Sequence, residues 1–163
     1  MKTAICYYSR HHGNTLKVLK AMAEGTGIDL IDVTSRVAVH LEDYDCIGFA
    51  SGIYYSEFQE TVLNFARQYL PQGKDVFFVY TCGSMRRGYT KTIAETVTAK
   101  GANILGEYGC RGFDTFGPFK LIGGIAKGHP NADELEKARA FCRSICRDRC
   151  HTALRPGEKG ETS

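Results

Sequence analysis

Short apolar runs alternate along this chain with segments in which apolar residues recur at helical spacing. The apolar runs predict strands, and the strongest is the almost unbroken run 75–81. The segment 57–70 places Val62, Phe65 and Ala66 on one side of a helix and is followed by Pro71. The complete pattern predicts strands over 3–8, 28–33, 45–50, 75–81 and 104–110, and helices over 14–25, 57–70, 90–100 and 132–147.

Strands that alternate with helices predict an α/β fold with a parallel sheet and helices on both of its faces. The run 75–81 suits a strand that is covered on both sides. Ligands of such sheets bind outside the carboxyl ends of the strands. Those ends are 9–15, 51–58, 81–89 and the residues from Arg111 onward, so the topology predicts one site built from four loops.

The segment between the first strand and the first helix has the composition of a phosphate-binding loop. The first N–H groups of a helix have no partner within the helix and carry the positive end of its dipole, so an anion is stabilised there. Ser9, Asn14 and Thr15 can add side-chain donors, and Gly13 allows a close approach of the backbone. The same residues are also ordinary turn and N-cap residues, which leaves the local pattern open between the two interpretations.

Length and charge narrow the possible classes of protein. The chain has 163 residues, which suits one domain, and a net charge of +3, which is too small to indicate nucleic-acid binding. It contains no apolar run long enough to span a membrane. Residues 1–3 lead directly into a strand without a signal-peptide core, so we expect a cytoplasmic protein.

The cysteines are expected to be reduced thiols, because their number, seven, is odd and several lie within apolar runs. Cys142, Cys146 and Cys150 share one face of the last helix, and small packed thiols fit this spacing better than a metal cluster does. No paired carboxylates, Ser/His/Asp order or zinc-type spacing stands out. The sequence therefore predicts neither a catalytic side chain nor a metal site.

The chain resembles the flavodoxins, whose phosphate loop follows the first strand and reads roughly Ser/Thr-x-Thr-Gly-Asn-Thr. Ser9, Gly13, Asn14 and Thr15 match this pattern, while one extra residue and the pair His11-His12 replace the middle threonine. The resemblance implies a three-layer sandwich of the short-chain type with a five-stranded parallel sheet in the order 2-1-3-4-5. Residues 1–150 would form this FMN-binding domain, and 151–163 a polar, flexible tail.

The resemblance also implies which loops contact the cofactor. In flavodoxins the loop after strand three places an aromatic ring against the flavin, and either Tyr54 or Tyr55 could be that ring here. A carbonyl near Gly52 would meet the flavin N5–H. The loop after strand four would supply backbone amides to the pyrimidine edge, with Tyr89 a distant candidate for the second aromatic. The implied FMN-binding residues are Ser9, Arg10, His11, His12, Gly13, Asn14, Thr15, Gly52, Ile53, Tyr54, Tyr55, Thr81, Cys82, Gly83, Ser84 and Tyr89.

The expected function is electron transfer, with FMN cycling between oxidised, semiquinone and hydroquinone states and redox proteins docking over the flavin edge. The alternative is an FMN-dependent NAD(P)H:quinone-type oxidoreductase, favoured by the basic pair Arg86-Arg87 and by the long segment 112–129. That segment either covers the site or packs against the rest of its own protein as an irregular loop. A module with an empty site is a third interpretation, and the intact Gly13-Asn14-Thr15 argues against it.

Overall fold

A computed structural model describes residues 1–35 and 39–152 of the chain, with the backbone alone for 147–152. Most of the expected flexible tail, 153–163, and the side chain of Cys150 therefore lie outside the described residues. None of the described helices is both long and apolar enough to cross a membrane.

The described strands form a single sheet whose order along the sheet is β2-β1-β3-β5-β6, all parallel, with a short β4 paired antiparallel to the end of β3. Leaving β4 aside, this is the expected order 2-1-3-4-5, and the α/β prediction is confirmed. The strands are β1 (Thr3–Tyr8), β2 (Asp29–Asp32), β3 (Cys46–Tyr54), β4 (Glu57–Phe58), β5 (Asp75–Cys82) and β6 (Asn103–Arg111).

The described part of the chain has four α-helices, of which the first three lie between strands and the last follows β6: α1 (Asn14–Ala23), α2 (Glu60–Tyr69), α3 (Lys91–Thr98) and α4 (Ala132–Thr152). The prediction of a helix from residue 57 was wrong at its start. Glu57 pairs with Tyr54 in a hairpin, and α2 begins only after Gln59, whose side chain accepts a hydrogen bond from the N–H of Thr61. Local hairpin and capping contacts thus replaced the first helical turn.

Two apolar layers hold the helices against the sheet. On one face α2 and α3 cover a core that includes Phe49 and Phe78, and on the other α1 and α4 cover a core that includes Ile5 and Phe77. Every residue of β5 is buried, as the apolar run predicted for a central strand. With both faces covered, the loops at the carboxyl ends of the strands are left to form a binding site.

The N-terminus of α4 is closed by a capping box. Asn131 Oδ1 accepts a hydrogen bond from the N–H of Glu134 at 2.9 Å, and Glu134 Oε2 accepts one from the N–H of Asn131 at 2.8 Å. His129 Nδ1 lies 2.8 Å from the same carboxylate oxygen. Burial raises the pKa of Glu134, but the hydrogen bonds from Asn131 and His129 outweigh it, so the pKa is lowered overall.

Candidate functional site

A cleft opens at the carboxyl ends of β1, β3, β5 and β6, where the sequence placed the site. All four loops contribute to its walls. The residues that line it are Ser9, His11, Asn14, Thr15, Gly52, Ile53, Tyr54, Thr81, Cys82, Gly83, Gly112, Phe113, Asp114 and Phe116. Ten of these are residues that the resemblance implied, and the last four come from the segment 112–129.

The loop between β1 and α1, residues 9–13, supplies the end of the cleft suited to an anion. Ser9 Oγ accepts a hydrogen bond from the N–H of Leu16 at 3.1 Å, which leaves its own O–H free to donate outward. Gly13 has the left-handed φ of +67°, and beyond its two chain neighbours no atom lies within 4 Å of the position that a Cβ would take. The start of α1 is therefore open to a ligand, and the dipole of the helix favours a negative one.

Thr15 and Asn14 connect this loop to the rest of the cleft. The buried Thr15 hydroxyl lies 2.9 Å from that of Thr81 at the end of β5, and since the pair shares one hydrogen, the other remains available. Asn14 Nδ2 donates to the carbonyl of Phe113 at 2.7 Å. One of its two amide hydrogens is thus already used within the protein.

His12 and Arg10 differ from His11 in their placement. His11 lines the cleft, whereas the ring of His12, 4.7 Å from that of His11, packs on Phe113. Arg10 turns away from the cleft, and its guanidinium donates to the hydroxyl of Thr34 at 2.8 Å. The hydroxyl of Thr34, which follows β2, therefore holds Arg10 away from the position near the phosphate that the resemblance implied.

The loop after β3 is a two-residue hairpin that separates its two tyrosines. Tyr55 and Ser56 have φ of +50° and +68°, the geometry of a type I′ turn, between the paired Tyr54 and Glu57. Tyr54 lines the cleft, and its ring lies over Gly52, where a Cβ would be 3.3 Å from it. Tyr55 is 87% exposed. The structure thus separates the two candidates: Tyr54 is the ring on the inner wall.

The pKa of the Tyr54 hydroxyl is raised, mainly by burial and further by the neighbouring Tyr8 and Asp114. Cys82 is also in the cleft wall, and burial, opposed by Arg111, raises the pKa of its thiol to about 11. Both groups are therefore protonated at neutral pH. A protonated thiol is a poor nucleophile, so Cys82 contributes shape rather than covalent chemistry.

The loop after β5 places only its first residues at the cleft. Thr81, Cys82 and Gly83 line it, while Ser84 is exposed. Tyr89 lies in the core instead: its ring is 5.7 Å from that of Tyr80, and its hydroxyl donates to the carbonyl of Ser84 at 2.7 Å. The distant candidate for the second aromatic therefore lies in the core and not in the cleft wall.

The segment 112–129, which we call the flap, supplies cleft residues that were not among the candidate residues, although the loop after the last strand was expected at the site. Its phenylalanines were the available signal, because aromatic residues in a long segment without helical or strand periodicity must pack against something. Gly112, Phe113, Asp114 and Phe116 line the cleft. The first alternative in the sequence analysis, a segment that covers the site, is the one observed.

The arrangement fits a phosphorylated planar cofactor. The open backbone at Gly13, the free O–H of Ser9 and the second hydrogen of Asn14 suit a phosphate, and the ring of Tyr54 suits a flat aromatic group. In the described part of the chain, no three His, Cys, Asp or Glu side chains come together as metal ligands. Fold and cleft together define a doubly wound α/β protein with a cleft at the sheet's carboxyl edge, where proteins of this architecture bind ligands.

Comparison with known proteins names the family. A family model for the flavodoxin domain matches residues 4–103, more than half of the chain, so the chain belongs to the flavodoxin family. An uncharacterised protein of Methanocaldococcus jannaschii is 36% identical over 150 residues, which cover 91% of this chain and 100% of the relative. The family assignment and the expected fold agree.

Solved structures support the same fold. A flavodoxin from the domain Archaea superposes with a TM-score of 0.68 at 18% identity, covering 91% of this chain and 98% of that one. A Fusobacterium nucleatum flavodoxin bound to flavin mononucleotide gives a TM-score of 0.63 at 14% identity, covering 91% and 99%. At these identities the likeness concerns the fold.

Proposed function

We propose that this protein binds FMN in the cleft and serves as an electron carrier. The observation that carries the proposal is the start of α1, where the backbone at Gly13 is open and Ser9 and Asn14 keep donors available for a phosphate. The flavodoxin bound to flavin mononucleotide among the similar structures supports the choice of cofactor. Bound FMN supplies one- and two-electron transfer.

The protein's own residues bind and orient the cofactor in this proposal. Ser9, Asn14 and Thr15 hold the phosphate together with the first amides of α1. Tyr54 would pack against the flavin ring, and the backbone from Thr81 to Gly83 would contact its polar edge. The carbonyl of Gly52, which accepts a hydrogen bond from Ser51 Oγ, would accept a second one from the N5–H of a reduced flavin.

A reductase remains the second candidate because of the basic loop after β5. Arg86 and Arg87 are both exposed, and neither lines the cleft. Exposed guanidinium groups are well placed to attract an anionic nicotinamide donor, but water screens their effect on a flavin inside the cleft. In the carrier proposal the same cations attract an acidic redox protein to the flavin edge.

The first test is a visible spectrum of the purified protein with added FMN, followed through anaerobic photoreduction. Reduction in one-electron stages supports the carrier, and direct two-electron bleaching together with NAD(P)H oxidation by a quinone supports the reductase. Failure to bind FMN would overturn both.

The second test concerns the phosphate loop. The double variant Asn14→Ala, Thr15→Ala is expected to weaken FMN binding by at least about tenfold, because each side chain donates to a dianionic phosphate. Asn64→Ala with Thr98→Ala is the matched control, since both are exposed on helices away from the cleft. Equal affinity of the two double variants in a fluorescence titration would refute the placement of the phosphate.

A further inference from the structure

The flap is a closed loop with its own backbone hydrogen bonds. At its neck the N–H of Phe113 donates to the carbonyl of His129 at 3.0 Å, and Asp114 and Ile125 exchange two hydrogen bonds of 3.0 and 2.8 Å. A 3₁₀ turn, Gly117–Ile122, forms its tip. Because the neck is closed, the residues 113–116 cross the mouth of the cleft as one body rather than as a loose strand.

This body is attached to the phosphate loop. Thr115 Oγ1 lies 2.8 Å from His12 Nε2 and 3.4 Å from His11 Nε2, and the ring of His12 packs on that of Phe113 at 4.7 Å. Together with the bond from Asn14 to the Phe113 carbonyl, these contacts join two segments about one hundred residues apart. The two imidazoles, which replace the middle threonine of the family pattern, thus reach the flap.

Phe116 extends from this body across the cleft to the tyrosine hairpin. Its ring makes edge-to-face contacts with Tyr54 at 5.7 Å and with Tyr55 at 5.3 Å, and it lies 6.2 Å from His11. The loop after β5 offers no such ring, because residues 83–88 contain no aromatic side chain and Tyr89 is buried in the core. Of the described residues in the cleft wall, Phe116 is the one aromatic that faces Tyr54 directly.

We propose that Phe116 is the second aromatic wall of the flavin site, supplied by the flap and facing Tyr54. This inference rests on the proposed FMN function. A flat ring between two others needs about 7 Å between their centres, twice an ordinary carbon contact. The present separation of Phe116 and Tyr54 is 5.7 Å at 88°. Cofactor binding therefore requires the flap to move outward by about 1 Å or more and the Phe116 ring to turn towards parallel.

The test compares two ligands, FMN and riboflavin, which differ by the phosphate. Phe116→Ala is expected to weaken the binding of both by about three- to tenfold, the usual worth of an aromatic contact. Leu121→Ala on the same flap is the matched control, since Leu121 is 89% exposed, and its affinities should equal those of the wild type. A loss confined to FMN would overturn the proposal, because Phe116 would then act through the phosphate loop.

A second variant gives a spectroscopic readout. The chain has no tryptophan, so Phe116→Trp places a single indole in the site. It should bind FMN and add a charge-transfer absorption on the long-wavelength side of the flavin band, whereas Leu121→Trp should not. Suppose that the wild type binds FMN, that Phe116→Ala binds it with unchanged affinity, and that Phe116→Trp shows no such absorption. This result would refute the role of Phe116 and leave the proposed function standing. Wild-type protein that binds no flavin would refute the proposed function.

Discussion

Replacing Gly112 by alanine adds one methyl group at the point where the flap meets the phosphate loop. The φ of Gly112 lies outside the left-handed region, so alanine brings no backbone strain. Its Cβ would, however, lie 2.8 Å from Asn14 Nδ2, 2.9 Å from Cγ and 3.0 Å from Cβ of the same side chain. The substitution therefore acts on one neighbouring residue, and that residue is a proposed phosphate donor.

The size of the effect follows from these distances. Ordinary carbon contacts are about 3.5–4.0 Å, so Asn14 or the flap must shift by about 0.5–1 Å. Such overpacking costs about 1–3 kcal/mol, and loss of the Asn14–Phe113 hydrogen bond adds about 0.5–1.5 kcal/mol. A displaced amide also no longer reaches the phosphate, so we expect FMN affinity to fall by about tenfold or more.

A double-mutant cycle with Asn14→Ala separates this mechanism from general destabilisation. Urea unfolding and FMN titration are measured for the wild type, each single variant and the pair. If Gly112→Ala acts by pushing Asn14, it costs less once Asn14→Ala has removed Nδ2 and Cγ, although the Cβ contact at 3.0 Å remains, and the two losses are non-additive. Additive losses, or wild-type affinity in Gly112→Ala, would refute the reasoning.

Three further predictions concern the surroundings of the cleft. Glu134→Ala should lower the free energy of unfolding at pH 7 by about 2 kcal/mol through loss of the capping box with Asn131. Because folding lowers the pKa of Glu134, its contribution to stability is full above the ordinary carboxyl pKa near 4.3 and disappears as pH falls through the lower folded pKa. In urea unfolding, the difference in free energy between the wild type and Glu134→Ala should therefore be smaller at pH 3 than at pH 7. An equal difference at both pH values would contradict the assignment. Gly109→Ala should lower the free energy of unfolding, measured by thermal unfolding, by about 3 kcal/mol or more, since its Cβ would lie 2.2 Å from the buried Tyr80 ring. An unchanged Tm would contradict this and show that the ring can move aside. Cys82, with its pKa raised to about 11, should resist iodoacetamide at pH 8 in the folded protein and react in urea, as peptide mass spectrometry can test; equal labelling in both would mean that the thiol is accessible.

Local periodicity was sufficient for the order and class of the described strands and α-helices except the short β4, which lies where a helix was predicted. The bounds of β1 agree with the predicted strand 3–8, because the apolar run that predicts it depends on neighbours within a few residues. The ends of β3 and α2 were less predictable. Their boundary depends on a hairpin whose Tyr55 and Ser56 adopt left-handed geometry without glycine, which propensity does not indicate.

The loops of the site were likewise visible in the sequence, because in a doubly wound sheet the carboxyl ends of the strands lie at one edge whatever the details of packing. Which side chains enter the cleft depended on tertiary contacts. Tyr89 was drawn into the core beside Tyr80, and Arg10 was held outside by Thr34. Tyr54, rather than Tyr55, took the inner wall.

The sequence by itself determined the repeating strands and helices, the sheet they form, and the position of the loop that we propose binds phosphate, since each is set by hydrophobic period or by a few adjacent residues. Only the tertiary structure decided that the flap crosses the cleft. His12 and Thr115 are separated by 103 residues, and their contact exists because the closed neck of the flap and the start of α1 meet at the same edge of the sheet. No local pattern carries that information, because the free energy of such a contact depends on the packing of the whole domain.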